Sequence, residues 1–177
     1  MKKIMKIIMF LMIFNSLASL AFSISKSETT ETVSQIKKDY SKTNEELKNY
    51  EARSVKIEPS HGTSYYSAGD SAEYYTENGK LKKITVFQFF MLGENDTEKW
   101  INEYYVKNGK LYFAIEMNVE KNGKKVKKPR MTEYYFSSDE RLVRMIEDGK
   151  IYDGMDGFFA EFEFSIIEKF CEVKNLK

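Results

Sequence analysis

The residue types that most often do chemistry are scarce in this chain: one histidine and one cysteine. His61 lies in "EPSHGTS", a turn-like stretch. As a general base it would need a nucleophile and an orienting partner, and nothing in the sequence pairs with it, so it reads as a turn histidine. Cys171 follows Phe170 in a helical pattern and reads as a buried, inert thiol. Lys169 and Lys174 are the nearby cations that could lower its pKa, and with no second cysteine it forms no internal disulfide. Acids are plentiful. "GENDTE" holds Glu94, Asp96 and Glu98, and "YDGMDG" holds Asp153 and Asp156. Acidic loops can present oxygens to calcium, but "ENDTE" lacks the glycine and distal glutamate of the twelve-residue calcium loop, so both stretches read as solvated turns. A paired-carboxylate hydrolase would have to draw on Glu103, Glu116, Glu133 or Asp153, acids that the fold would need to bring together. No P-loop, GxGxxG, HExxH or CxxC occurs. The sequence therefore assigns no catalytic residue, no metal ligand and no cofactor.

Two other groupings point to binding. The stretch "KNGKKVKKPR" crowds Lys121, Lys124, Lys125, Lys127, Lys128 and Arg130 into one hairpin. Such a tip suits phosphate, anionic glycan or lipid headgroups, while the plain alternative is a solvated arm that discourages edge pairing. The second grouping is aromatic. Successive strand residues point to opposite faces, so an outward row of Tyr75, Tyr105, Tyr112 and Tyr135 would form a platform with apolar rings and wet hydroxyls. The alternative is that these rings simply stabilise a sheet through cross-strand pairs, at about 0.2–1 kcal/mol each.

The elements that must carry these groups come from a repeated phrase. "AEYYTENGKLKKI", "NEYYVKNGKLYFAIEMNV" and "TEYYFSSDERLVRM" place Glu73, Glu103 and Glu133 at a period of thirty. Asn-Gly or Asp-Gly between strand formers is a strong hairpin signal, because a type I′ turn needs positive φ at both central residues. It occurs in "ENGK", "KNGK" twice, and "EDGK"; the third repeat substitutes the longer "SSDE". A two-residue turn at Asn108-Gly109 sets Val106 against Leu111, Tyr105 against Tyr112 and Tyr104 against Phe113. Leu111, Phe113, Ile115, Met117 and Val119 then line one apolar face, opposite a mostly polar one. Strands are expected near 62–67, 71–77, 80–91, 99–107, 110–121, 125–136, 141–147 and 150–153. Pro129 calls for a bulge, or for a strand beginning after it.

The flanks read as helices. Val33, Ile36, Tyr40, Leu47 and Tyr50 form a one-sided stripe, and Thr43 with Glu46 reads as a capping box that restarts the helix near Ser41. Phe159, Phe162, Ile166, Phe170 and Val173 mark a second stripe. The expected fold is α+β: an antiparallel up-and-down meander of about seven to eight strands with an N-terminal and a C-terminal helix. The units "YYTENGKLKKI" and "YYVKNGKLYFAIE" resemble the hairpin units of MORN-variant repeat proteins, which are shorter and carry extra glycines and a Trp. The chain is more similar to uncharacterised exported bacterial proteins that join a leader and a helix to an EYYxxNGKL sheet. The resemblance implies the fold and no functional residue.

"MKKIMKIIMFLMIFNSLASLAFS" has the basic start, apolar run and small residues of a secretory signal peptide, too short for a permanent span. Cleavage is allowed after Ala21 or Ser23, the second preferred; an uncleaved anchor is the alternative. The expected organisation is leader 1–23, helix 24–52, meander 53–157 and helix 158–177. Of 28 Lys+Arg, removal of Lys2, Lys3 and Lys6 leaves 25 against 27 Asp+Glu, which offers none of the basic excess of a nucleic-acid binder. The expectation is an exported protein, periplasmic or secreted, that meets the membrane only through its leader. It would be a non-catalytic module binding a protein or an anionic envelope polymer, with a small hydrolase or a structural subunit of an envelope complex as the alternatives.

Overall fold

A computed structural model describes residues 26–57, 70–91, 96–122, 125–153 and 158–176. The leader, the strand expected near 62–67, His61, Glu94, Lys124 and Asp156 lie outside the described residues. Helix α1 (Lys26–Glu46) and a 3-10 turn (Leu47–Asn49) precede strands β1 (Glu51–Lys56), β2 (Ser71–Glu77), β3 (Lys80–Met91), β4 (Asp96–Lys107) and β5 (Lys110–Asn122). Strands β6 (Lys125–Val126), β7 (Arg130–Phe136), β8 (Leu142–Glu147) and β9 (Lys150–Asp153) follow, and helix α2 (Phe158–Lys174) closes the chain. The strands form one nine-stranded sheet in the order β1-β2-β3-β4-β5-β7-β8-β9, with β6 paired on β5. All pairings are antiparallel, so the α+β meander expected from the sequence is the fold.

The turns follow their local chemistry. Asn78-Gly79, Asn108-Gly109 and Asp148-Gly149 all have positive φ at both residues, the I′ signature that matches strand twist. In "SSDE" the left-handed position falls on Glu140, at φ 62°. The remaining Asn-Gly behaves differently: Asn122 pairs with Lys125, so that reversal is one residue later than expected. Residues 127–129, including Pro129, separate β6 from β7, because a proline nitrogen cannot donate to the ladder.

Three β-bulges change the expected register. Thr76 faces Leu81 but Tyr75 faces Lys83; Val106 faces Leu111 but Tyr105 faces Phe113; Phe136 faces Leu142 but Tyr135 faces Arg144. In every repeat the extra residue follows the leucine: Lys82, Tyr112 and Val143. Tyr105 therefore does not oppose Tyr112, nor Tyr104 Phe113. A one-residue slip flips every later side chain to the other face. Leu111 consequently packs with the α2 residues Phe159, Ile166, Phe170 and Val173, while Phe113 and Ile115 pack with Val33 and Ile36 of α1. The expectation of one apolar and one mostly polar face is corrected: near the turns both faces are apolar, and each takes a helix.

α1 runs across the strands. Lys37 Nζ lies 5.8 Å from the Tyr135 ring on β7, Tyr40 meets Tyr105 and Phe113 edge-on at 5.0 Å, and Thr43 Oγ1 lies 3.2 Å from the Tyr112 hydroxyl. The helix does not restart at Ser41. Thr43 engages the sheet instead of capping, and Glu46 accepts a 3.0 Å bond from Tyr50. Nor does the helix reach residue 52, since β1 starts at Glu51. That strand is almost wholly exposed and shows no apolar alternation, so only its pairing to β2 reveals it. α2 crosses the other face, with Phe170 5.8 Å from Tyr104 and Tyr74 donating to the Val173 carbonyl. Its neighbour Cys171 is exposed, not buried, because residues 170 and 173 occupy the inward stripe and 171 sits about 100° round the helix from Phe170.

Candidate functional site

The repeated Glu-Tyr-Tyr phrase splits across the sheet. The first tyrosines, Tyr74, Tyr104 and Tyr134, face α2. The second of each pair shares the α1 face with its own glutamate, two residues back. Tyr75 donates to Glu73 at 2.7 Å, Tyr105 to Glu103 at 2.7 Å, and Tyr135 to Glu133 at 2.5 Å. Lys83, 5% exposed, bonds Glu103 at 2.7 Å and stands 4.8 Å over the Tyr105 ring. Asn44 of α1 lies 3.1 Å from the same hydroxyl, whose single proton goes to Glu103. Burial, then the neighbouring carboxylate, pushes the Tyr105 hydroxyl far above its ordinary pKa; burial and the bond to Glu133 do the same for Tyr135. Tyr75 and Tyr112 are pushed up to about 12, chiefly by burial.

This arrangement overturns the exposed tyrosine platform. Tyr105 and Tyr135 are fully buried, and Tyr75 and Tyr112 half-buried, because α1 lies over the face they share. The acids available to a hydrolase are likewise occupied. Glu103 and Glu133 flank Ile115 on the α1 face. Glu116 is on the opposite face, bonded at 2.8 Å to both Lys169 and Tyr134. Asp153 holds Arg144 through two bonds of 2.5 and 2.9 Å. A groove of about 980 Å³ runs between α1 and the turns near 108 and 138, and contains none of these four. Its Lys107–Asp39 and Arg141–Asp139 pairs, both 2.6 Å, neutralise much of its charge.

The basic hairpin is partly spent too. Glu120 takes both Lys127 and Arg130, the latter at 2.9 Å, and its hydrogen bond from Lys127 is the largest cause holding its carboxyl below the usual range. Lys125 and Lys128 are exposed and make no ion pair among the described residues. Lys127, Lys128 and Arg130, together with Asn118 and Glu120, line a cavity of about 260 Å³.

Sequence reasoning missed the half of the sheet farther from the helices. On the α1 face the register aligns Ser71, Phe87, Ile101, Met117 and Met131. Beyond them come Phe89, Lys99 and Val119, then Thr97, Lys121 and Val126. These rows carry no acidic residue. Phe89 is 54% exposed, Met131 38% and Val126 63%, and Lys99 lies 5.1 and 5.3 Å over the rings of Phe87 and Phe89. The α2 face of the same half is polar. Gln88, Asn102 and Asn118 are buried on adjacent strands; Asn102 donates to Gln88 at 3.0 Å and Asn118 donates to Glu98. Along β4 and β5 charge is thus sorted by face: Glu98 and Glu120 on one, Lys99 and Lys121 on the other. Period-two counting beyond the bulge would have found these rows, had the bulge itself been legible. Among the described residues no helix is long and apolar enough to cross a membrane, and no group of three or more potential metal ligands occurs. No protein-family model, curated protein or solved structure matches the chain.

Proposed function

We propose that this chain is an exported, non-catalytic binding module that seats a protein or an anionic envelope polymer on the outer half of its α1 face. The observation carrying this reading is the pair of apolar rows through Phe87 and Phe89, which with Lys99 and, in the next row, Lys121 hold no acids and stay open where α1 has passed. Contiguous exposed apolar surface on a monomer marks an interaction site more often than chance. The lysines add attraction for a partner of opposite charge and discourage self-association through the same face. The acids of the repeats support the same reading, since each is tied into a tyrosine bond that builds the sheet. The test is capture from envelope fractions by the purified protein and by a Phe89→Asp/Met131→Asp variant, whose new charges fall on exposed positions. The wild type should retain a partner that the variant releases. Equal capture by both, or capture by neither, would remove this reading.

A further inference from the structure

The cavity under the basic hairpin lies on the α2 face, opposite the apolar rows, and its chemistry is independent of them. Four of its five lining residues carry charge: Lys127, Lys128 and Arg130 against Glu120. The lining is therefore cationic by two charges, and because Glu120 is shared by Lys127 and Arg130, Lys128 is the lining cation without an ion pair among the described residues. The fifth lining residue is Asn118, 6% exposed. Its Nδ2 donates to the Glu98 carboxylate, and its Oδ1 is buried without a partner. The orientation of the amide follows from this, because turning it over would set its oxygen against the carboxylate. The open group is thus an acceptor, and a buried acceptor left unsatisfied costs about 1–3 kcal/mol.

A ligand that fits must bring negative charge for Lys128 and, next to it, a hydrogen-bond donor for Asn118. An ammonium donor is disfavoured by the cationic lining, which leaves a hydroxyl or an amide N–H. The cavity sits over β5, a central strand, so a peptide cannot enter it by adding to a sheet edge. Its volume lies below the usual 300–1,000 Å³ of ligand pockets and suits one sugar-sized group. We infer that this cavity binds a hydroxylated anion of the sugar-acid class, free or as one unit of an acidic polysaccharide.

Amide chemical shifts of the purified protein, followed during titration, test this. Glucuronate should move the resonances of Asn118, Lys128 and Arg130, with glucose and acetate at least tenfold weaker, since each supplies only half of the required pair. A polyuronate that binds much more tightly than the monomer identifies the polymer as the source; equal affinity per sugar identifies the free acid. Lys128→Gln, at an exposed position that leaves the fold intact, should weaken glucuronate about fivefold, and Asn118→Ala by a similar factor, the fold-change of one hydrogen bond worth about 1 kcal/mol. The inference fails if acetate matches glucuronate, if neither substitution changes binding, or if an acidic peptide binds more tightly than the sugar acid. It also fails if Asn118 merely holds a water, in which case glucuronate moves nothing. Because the apolar rows lie on the other face, Phe89→Asp/Met131→Asp should leave glucuronate binding unchanged, so failure here and failure of the partner-docking reading are separable.

Discussion

Lys83 is the most exacting residue in the molecule. Its cation is buried between the Glu103 carboxylate and the Tyr105 ring, so its two halves are unequal under substitution. Glu103→Gln leaves a buried ammonium without its counter-charge and should cost roughly 3–5 kcal/mol. Lys83→Met leaves Glu103 partly exposed and still bonded to Tyr105, and should cost clearly less. The double substitution should recover stability relative to Glu103→Gln alone. Urea midpoints of the four proteins check this, and a Glu103→Gln loss below about 1 kcal/mol, the value of a surface pair, would show the cation to be solvated. The tyrosines make a second residue-scale prediction. A tyrosine whose folded pKa is raised keeps its proton in the folded chain while the unfolded chain ionises near pH 10. Stability is therefore fully present below pH 10 and falls as pH rises above it, continuing through about 12 for Tyr50, Tyr75 and Tyr112 and beyond for Tyr105, Tyr134 and Tyr135. Each such group contributes a slope of up to about 1.4 kcal/mol per pH unit. Tyrosinate absorbance and circular dichroism should consequently change together on alkaline titration; hydroxyls ionising at ordinary pH in a still-folded protein would contradict the burial.

At the scale of elements, the bulge and the turn are separable. Gly109 has φ 81° with open space where a Cβ would stand. Gly109→Ala thus carries only the backbone penalty of about 1–2 kcal/mol, without a clash, and the folded spectrum should survive. Deleting Tyr112 tests the bulge. Leu111 and Phe113 then become neighbours, which ordinary alternation places on opposite faces, so Val106 still faces Leu111, Tyr105 still faces Phe113 and the later side chains of β5 keep their faces. The loss is confined to the contacts of Tyr112 with Thr43 and Tyr105, so the dispersed amide spectrum should survive with a lowered urea midpoint; its collapse would show that the sheet cannot close without the bulge. The element scale also shows where sequence reading was strong. The reversals at Asn78-Gly79, Asn108-Gly109 and Asp148-Gly149, the strands they join and both helical stripes depend on neighbours a few residues apart, and they stand where expected. β1 escaped because an exposed edge strand has no buried face to impose alternation, and its signal lies in Tyr74 and Tyr75 across the ladder.

For the whole molecule, the decisive feature is a sheet wider than its covers. Each helix seals the rows nearest the turns, leaving an outer half with an apolar, lysine-bearing surface on one side and a carboxamide surface on the other. Removal of α1 would expose Tyr105, Phe113, Ile115, Tyr135 and Val143 together. A chain beginning at Tyr50 should therefore bind an apolar dye and aggregate, whereas Phe89→Asp/Met131→Asp should be at least as soluble as the parent. Light scattering on the two proteins separates a structural from a docking role for these two parts of the same face.

The sequence by itself determined what short-range chemistry can determine: the left-handed pairs at Asn78-Gly79, Asn108-Gly109 and Asp148-Gly149, the antiparallel meander that follows, and the two amphipathic helices. Only the tertiary structure decided which side of the sheet each residue occupies past the leucines, because a bulge is specified by what must pack on both faces at once. It also decided that the conspicuous tyrosines are interior and that Glu120 claims two of the hairpin cations. The burial of the rings depends on partners such as Asn44 and Thr43, 61 and 69 residues away, and the hairpin cations on a carboxylate across the reversal; no local spacing encodes either.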